Sequence, residues 1–319
     1  MIGLIFHWGL YSVPCYDDIT SASRRKIQNG SEWYYKRLIE KGKFRPVSGF
    51  KETQKFHKEH YGDREYKDFV SDFKCENWNP DEWMQLAVDV GATYVIITAK
   101  HHDAFCLWDT KTSDYNSVKN VCGRDLVNEF VISARKFSLR VGIYYSWLEF
   151  DSGCTKIYLA ETVKEQIMEL LKYNPDIWWF DGDWTCTTQF SKSFIKDICI
   201  QLKNHNPNVE INDRIALDNK KDINYLGEST YRVYSDREIP DQKPTVKWEH
   251  INTIGYSWGR NHTQQQTHYK TGVQLYQLYQ KVSEKSGNFL LNLGPNSDGS
   301  LDPYEVNSLL KFGQIYKNQ

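Results

Sequence analysis

Apolar residues run along this chain in short unbroken blocks, and each block stops abruptly at a polar group. Residues 2 to 8, Ile-Gly-Leu-Ile-Phe-His-Trp, form the first and break at His7-Trp8-Gly9. Thr93 to Ala99 runs straight into Lys100-His101-His102-Asp103, and Arg140 to Ser146 ends on Tyr144 and Tyr145. The stretch Ile177 to Trp184, Ile-Trp-Trp-Phe-Asp-Gly-Asp-Trp, switches from large rings to carboxylate, glycine, carboxylate. Continuous apolar blocks of this length suit strands buried on both faces, as in a parallel sheet. Three further blocks follow: Val209 to Asn212, ending at Asp213-Arg214; one near 245 to 249, ending at Trp248-Glu249; and Asn288 to Leu293, closing on Gly294-Pro295.

Between the blocks the apolar spacing becomes helical. Asn79-Pro80-Asp81-Glu82 supplies an N-cap and a proline at the first helical position, and Trp83, Leu86, Ala87 and Val90 follow on one face. Leu126, Val127, Phe130, Val131 and Ala134 mark a second helix, and Val163, Ile167, Leu170 and Leu171 a third; two more are expected near 190 to 204 and 271 to 285. Strand then helix, repeated, signals βαβ units. The pattern predicts a (β/α)8-like, TIM-type barrel with room for irregularity, occupying residues 1–319 as one domain. Seven strands are legible, so the eighth is expected between 215 and 270. Residues 15–75 carry charge without a comparable strand and read as a long, partly helical excursion after the first.

A chain of 319 residues is the right size for an elaborated barrel. Forty basic residues against forty-one acidic ones leave no electrostatic footprint for nucleic acid or an anionic membrane, so neither is expected as a partner. Aromatic residues make up 15% of the chain, with 11 Trp and 21 Tyr, and supply apolar faces with polar edges that suit sugar rings. Seven cysteines without a C-x-x-C pair argue against a zinc site or a disulfide framework and read as buried thiols. No apolar run is long enough to span a membrane, and the N-terminus shows no basic n-region. Asn29-Gly30-Ser31 and Asn261-His262-Thr263 are glycosylation acceptors if the chain meets the secretory pathway. Compartment and oligomeric state stay open.

In a parallel barrel the strands' carboxyl ends share one rim, where α/β folds build their sites. His7, His101, His102, Tyr144 or Tyr145, Asp181, Arg214 and Glu249 are all expected there. Two carboxylates among donors and indoles are what glycoside hydrolysis requires, one to attack the anomeric carbon and one to protonate the departing oxygen. Each residue also has a structural explanation: Arg214 as the ion-pair partner of Asp213, Trp248 as core, and Glu249 as a solvated loop acid. The same rim offers His7, His101, His102 and Asp181 as ligands for a metal-dependent hydrolase.

Several segments, in order, resemble the retaining α-L-fucosidases of glycoside hydrolase family 29. They are Phe6-His7-Trp8-Gly9-Leu10-Tyr11-Ser12-Val13-Pro14, Glu32-Trp33-Tyr34, Lys100-His101-His102-Asp103-Ala104-Phe105, Tyr144-Tyr145-Ser146, Trp179-Phe180-Asp181-Gly182, Asn212-Asp213-Arg214, and Trp248-Glu249 with Ser257-Trp258-Gly259. The resemblance spans residue 4 to about 299. It implies a barrel catalytic domain whose nucleophile is Asp181, with no cofactor or metal and a fucosylated oligosaccharide or glycoconjugate as substrate. The implied sugar-binding residues are His7, Trp33, His101, His102, Tyr145, Trp179 and Arg214. Glu249 is implied as the acid/base, with Glu32 the second candidate. Ala104 stands where the family usually has glycine. Family members commonly carry a leader and a C-terminal β-sandwich, and the expectation here is the barrel without that sandwich. A fucose-binding protein that has lost turnover is the remaining alternative.

Overall fold

The computed structural model describes residues 1–20, 30–42, 46–120, 122–186, 189–216 and 220–319. Eight parallel strands form one sheet: β1 Ile2–Phe6, β2 Tyr94–Lys100, β3 Arg140–Ser146, β4 Ile177–Asp181, β5 Glu210–Ile211, β6 Arg232–Val233, β7 Trp248–Thr253 and β8 Asn288–Leu293. Their spatial order is β5-β4-β3-β2-β1-β8-β7-β6, so β5 and β6 are the two ends. A single bridge, Asn212 to Tyr231, and a hydrogen bond from Thr230 N–H to Ile211 O (2.8 Å) join those ends. The sheet therefore curls into the expected (β/α)8-like barrel.

The strands are apolar on both sides because each faces two cores. Ile5, Tyr94, Ile96, Ile177, Ile251 and Leu290 belong to the cluster that fills the barrel. Leu4, Phe6, Val95, Ile97, Ile143 and Phe180 belong to the outer layer, beneath the helices. Gly3 makes room for the interior: a Cβ there would meet the Tyr94 ring at 2.2 Å, so a larger residue would push that ring aside. The helices begin where capping chemistry predicts. Asn79 accepts the Asp81 N–H ahead of the helix Pro80–Asp89, and Asp125 accepts the Asn128 N–H ahead of Leu126–Lys136. A final helix, Pro303–Lys317, starts at an Asp302 cap and packs against Gly272–Glu284.

The eighth strand lies where it was missing, between 215 and 270, but it is only the two residues Arg232–Val233. β7 departs from expectation in a way that matters. The sequence suggests a strand ending at Trp248-Glu249, whereas β7 begins there and runs on to Thr253. The sequence Trp-Glu-His-Ile-Asn-Thr is strand despite its polar content, because Glu249, His250 and Asn252 are all buried with hydrogen-bonded partners inside the barrel wall. Glu249 therefore sits at the opening end of its strand.

The excursion after β1 is helical in part, with Tyr34–Leu38 and Phe50–Tyr61 and no strand among its described residues. The cysteine expectation is corrected at one pair: Cys154 and Cys186 form a disulfide across a separation of 32 residues, and the other five are free thiols. Sequence spacing carries no hint of this, because Cys154 lies in the loop after β3 and Cys186 on the short helix after β4, which only the barrel brings together. Of the two glycosylation acceptors, Asn29 lies outside the described residues. Asn261 is buried, and its amide bonds Asp17 and Thr263, which leaves no room for a glycan.

Candidate active site

Alternation along β3 and β4 decides which side chains meet. Tyr144 pairs with Trp179 and Ser146 with Asp181, and these four face the barrel interior, while Tyr145 and Phe180 face the helices. Asp181 is the last residue of β4 and Gly182 follows with φ 81°. A Cβ at Gly182 would come within 3.0 Å of the Leu148 backbone nitrogen, so only glycine lets the chain turn there and leave the carboxylate open. At the end of β2 the register with β3 shifts between Thr98 and Lys100, just before His101-His102. Such irregularities re-aim side chains at sites. Ala104, two residues past the pair, is held at φ 68°, the left-handed conformation that favours glycine.

These chain ends line one narrow recess at the carboxyl rim of the sheet. Around it stand His7, Glu32, Trp33, His101, His102, Trp179, Asp181, Trp184, Arg214, Asp236, Ile251 and Trp258. Asp181 is the most constrained. Tyr144 Oη donates to its Oδ2 and Arg214 Nη1 to its Oδ1, both at 2.7 Å, and His102 Nε2 lies 3.7 Å from Oδ2. Burial alone would raise this carboxyl, but Arg214, His102 and Tyr144 outweigh it and hold the group below the ordinary aspartate range. It is an ionised, oriented carboxylate.

Arg214 reaches the site through Asn212-Asp213-Arg214, at the end of β5. Asp213 does not pair with it: Asp213 turns instead to Arg232 (3.1 Å) and to the Val233 N–H. That frees the Arg214 fork to bridge two acids, Asp181 through Nη1 and Asp236 through Nη2, with its guanidinium 4.8 Å from the Trp179 ring centre.

The three imidazoles are neutral acceptors. Burial pulls His7 and His102 down to about 4 and His101 further. Asn292, whose amide donates to Trp258 O, offers its Oδ1 to His7 Nδ1 at 2.5 Å, which puts the His7 proton on Nδ1. Ser146 Oγ, 2.6 Å from His102 Nδ1, donates to Leu148 O and so accepts from that imidazole. The Nε2 atoms of both rings are then left as acceptors for sugar hydroxyls. His101 Nδ1 is buried without a hydrogen-bond partner, a deficit that a hydroxyl in the recess would make good.

Glu32 and Trp33 come from the excursion after β1. The Glu32 carboxylate takes the N–H groups of Gly30 (2.6 Å) and Gly259 (3.1 Å), which fastens that loop to the rim, and burial raises it above the usual glutamate range. Trp184 lies on the short helix Asp183–Cys186, edge-on to His102 at 5.6 Å and 46% exposed, with Cys186 in the disulfide. Asp183 beneath it is buried against Lys220.

Most of the expected site residues converge: His7, Glu32, Trp33, His101, His102, Trp179, Asp181 and Arg214 all line the recess. Two do not. Tyr145 points to the helix side, where its hydroxyl donates to Gln166 and Lys100 lies 4.5 Å from its ring centre; Tyr144 takes the interior position. Glu249 lies beneath the recess, where its carboxylate accepts Tyr94 Oη (2.5 Å) and Trp179 Nε1 (2.9 Å). The recess also holds Trp258, beside the His7 ring, and the acid Asp236, neither of which is among the site residues expected from the sequence. Tyr144 was detectable from alternation, since Val141 and Ile143 share the other face with Tyr145. Asp236 had no signal, because it follows the two-residue β6. Among the described residues no group of three or more His, Cys, Asp and Glu side chains converges as a metal would require.

The family model for α-L-fucosidase matches residues 1–319. The α-L-fucosidase of Dictyostelium discoideum is 30% identical over 331 aligned residues, which cover 98% of this chain and 67% of that protein. The tissue α-L-fucosidase of Homo sapiens is 29% identical, over 98% of this chain and 65% of its own length. The chain thus spans about two thirds of the curated relatives it matches. Among solved structures, the α-fucosidase of Thermotoga maritima superposes with a TM-score of 0.80 at 31% identity, covering 99% of this chain and 72% of that one. The same enzyme in complex with fucose gives 0.78 over the same shares.

Proposed function

This chain belongs to the α-L-fucosidase family, and from that membership and the recess around Asp181 we propose that it is an exo-acting glycoside hydrolase releasing terminal α-L-fucose with retention. The observation that carries the reading is the Asp181 carboxylate: ionised, aimed by Tyr144 and Arg214, and open to the recess lined by the histidines and indoles. In the first displacement an Asp181 oxygen attacks the anomeric carbon. The glycosidic bond breaks, and the departing oxygen takes a proton from an acid at the mouth. In the second, water attacks the glycosyl ester, gives its proton to the same group and frees Asp181. His7, His101 and His102 accept hydroxyl protons of the sugar, while Trp33, Trp179 and Trp258 cover its apolar face.

Asp236 is the acid/base this geometry supports best. It stands just past β6 on the recess wall, beyond the Arg214 fork from Asp181, with its side chain 31% exposed where a leaving alcohol and an incoming water would pass. Glu32 is the second reading, favoured by burial that raises it above the usual glutamate range, but opposed by the backbone N–H groups that occupy both of its oxygens. Glu249 stands below the recess and makes neither contact. The substrate is proposed to be a fucosylated oligosaccharide or glycoconjugate.

The test is turnover of an aryl α-L-fucoside alongside the matching β-L-fucoside and α-galactoside. Release from the α-L-fucoside alone supports the reading. Fucose binding with no release from any of the three would make the protein a fucose-binding relic, and loss of turnover to a chelator would favour the metal-dependent alternative.

A further inference from the structure

We propose that Glu249 is a positioning residue: from beneath the recess it locks the Trp179 indole, and through that ring it fixes both groups that aim Asp181. The inference rests on the reading of the recess as a fucosidase site, and it gives the buried glutamate a role other than acid/base.

The contacts form a continuous chain. Glu249 pairs with Asn288 at the base of β8, and its carboxylate is 2% exposed. Oε1 accepts Trp179 Nε1 and Oε2 accepts Tyr94 Oη, so the two oxygens each hold one interior ring. The other side of Trp179 faces the recess. On this indole rest the two residues that grip the nucleophile: Tyr144 stacks at 5.5 Å and 15°, and Arg214 lies over the ring at 4.8 Å. Tyr144 holds Asp181 Oδ2 and Arg214 holds Oδ1. Both hydrogen bonds to the attacking carboxylate therefore come from side chains seated on one ring, and the only polar atom of that ring is tied to Glu249.

The protonation of Glu249 does not interrupt the chain. Burial raises the carboxyl to about 7 against the pull of its Tyr94 and Trp179 hydrogen bonds. As a carboxylate it accepts from both rings. As an acid it keeps accepting the indole N–H on Oε1 and donates from Oε2 to the Tyr94 hydroxyl, which needs only to rotate. A glutamine meets the same two demands, with its carbonyl oxygen on the indole and its amide nitrogen on Tyr94. A leucine meets neither and leaves the indole N–H buried without a partner.

The experiment compares Glu249→Gln and Glu249→Leu with the wild-type enzyme, on an aryl α-L-fucoside and on a fucosyl disaccharide, with kcat and KM across pH. The expected result is that Glu249→Gln keeps at least about a third of wild-type kcat/KM on both substrates with an unchanged pH profile. Glu249→Leu should lose about 10- to 100-fold on both alike, without azide rescue, as expected when a buried donor is orphaned. A second readout needs no turnover: in ¹⁵N-indole NMR spectra, the Trp179 N–H, assigned through Trp179→Phe, should exchange faster in Glu249→Leu and stay protected in Glu249→Gln. The proposal is overturned if Glu249→Gln is as inactive as Glu249→Leu while azide restores turnover of the aryl fucoside, which is acid/base behaviour. Full activity or an unmoved indole signal in Glu249→Leu overturns it equally, and if Glu249→Leu does not fold, Glu249→Gln decides alone. A wild-type enzyme inactive on every α-L-fucoside would instead sink the functional reading, and the indole measurement would still judge the contact.

Discussion

At the scale of single residues, the choice between adjacent tyrosines shows how far a sequence motif reaches and where it stops. Tyr144-Tyr145 marks a strand end, but only the alternation fixed by Tyr144 facing Trp179 tells which hydroxyl meets Asp181. Tyr144→Phe should lower kcat/KM by roughly 10- to 100-fold, since a hydrogen bond to a charged group contributes about 1.5–3 kcal/mol. Tyr145→Phe should leave kcat/KM within about threefold, losing hydroxyl contacts with Gln166 and Lys100 on the helix side, a difference steady-state kinetics will read directly. The imidazoles carry a pH prediction. With His7 and His102 held near 4, both are neutral acceptors above about pH 5 and become cations as pH falls through 4. Asp181, held below the ordinary aspartate range, stays ionised through that step. The acid limb of kcat/KM should therefore fall near pH 4 with a slope steeper than one proton. A one-proton limb near pH 6 would mean that these histidines are not buried as described.

At the scale of elements, the strands placed correctly from sequence were β1 to β5 and β8, whose apolar blocks end sharply at a polar group. β7 was displaced because Glu249, His250 and Asn252 are buried in the barrel wall, so the burial that defines the strand is invisible in hydropathy. That shift moves Glu249 from the rim to beneath the recess. β6 is two residues, too short for any period to show. The short helix Asp183–Cys186 was legible only as the tail of the central octapeptide, and nothing in it announced Cys154 as the partner of Cys186. The bridge ties the loop after β3 to the helix that carries Trp184. Trp184 is exposed beside the mouth, where the residue bearing the fucose must lie. Cys154→Ser, or reduction of the bridge, should therefore raise KM for a fucosyl disaccharide several-fold and leave kcat on an aryl fucoside within about twofold, because Asp181 sits on β4 itself. A matching fall in kcat on both substrates would place the bridge's role in the nucleophile strand instead.

At the scale of the whole molecule, the sequence makes the barrel legible because strand and helix alternate down almost the entire chain. Its closure is less so: β5 and β6 meet through the Asn212–Tyr231 bridge and hydrogen bonds around Ile211 and Thr230 instead of a full ladder. That weak seam lies beside Arg214 and Asp236, the pair that spans from the nucleophile to the proposed acid/base. All eight strands pair in one sheet, but β5 and β6 contribute ladders of only two residue pairs each, and the loops around them complete that part of the wall. Asp181 is proposed as the nucleophile of a retaining α-L-fucosidase. This role is tested most directly by trapping the glycosyl-enzyme with a slowly turned-over 2-fluoro-fucosyl fluoride and mapping the adduct by peptide mass spectrometry. The account predicts a single fucosyl adduct on the peptide at Asp181, absent in Asp181→Asn, whose kcat should be lower by several orders of magnitude. An adduct on Glu32 or Asp236, or steady turnover of α-L-fucosides with no adduct at all, would contradict it.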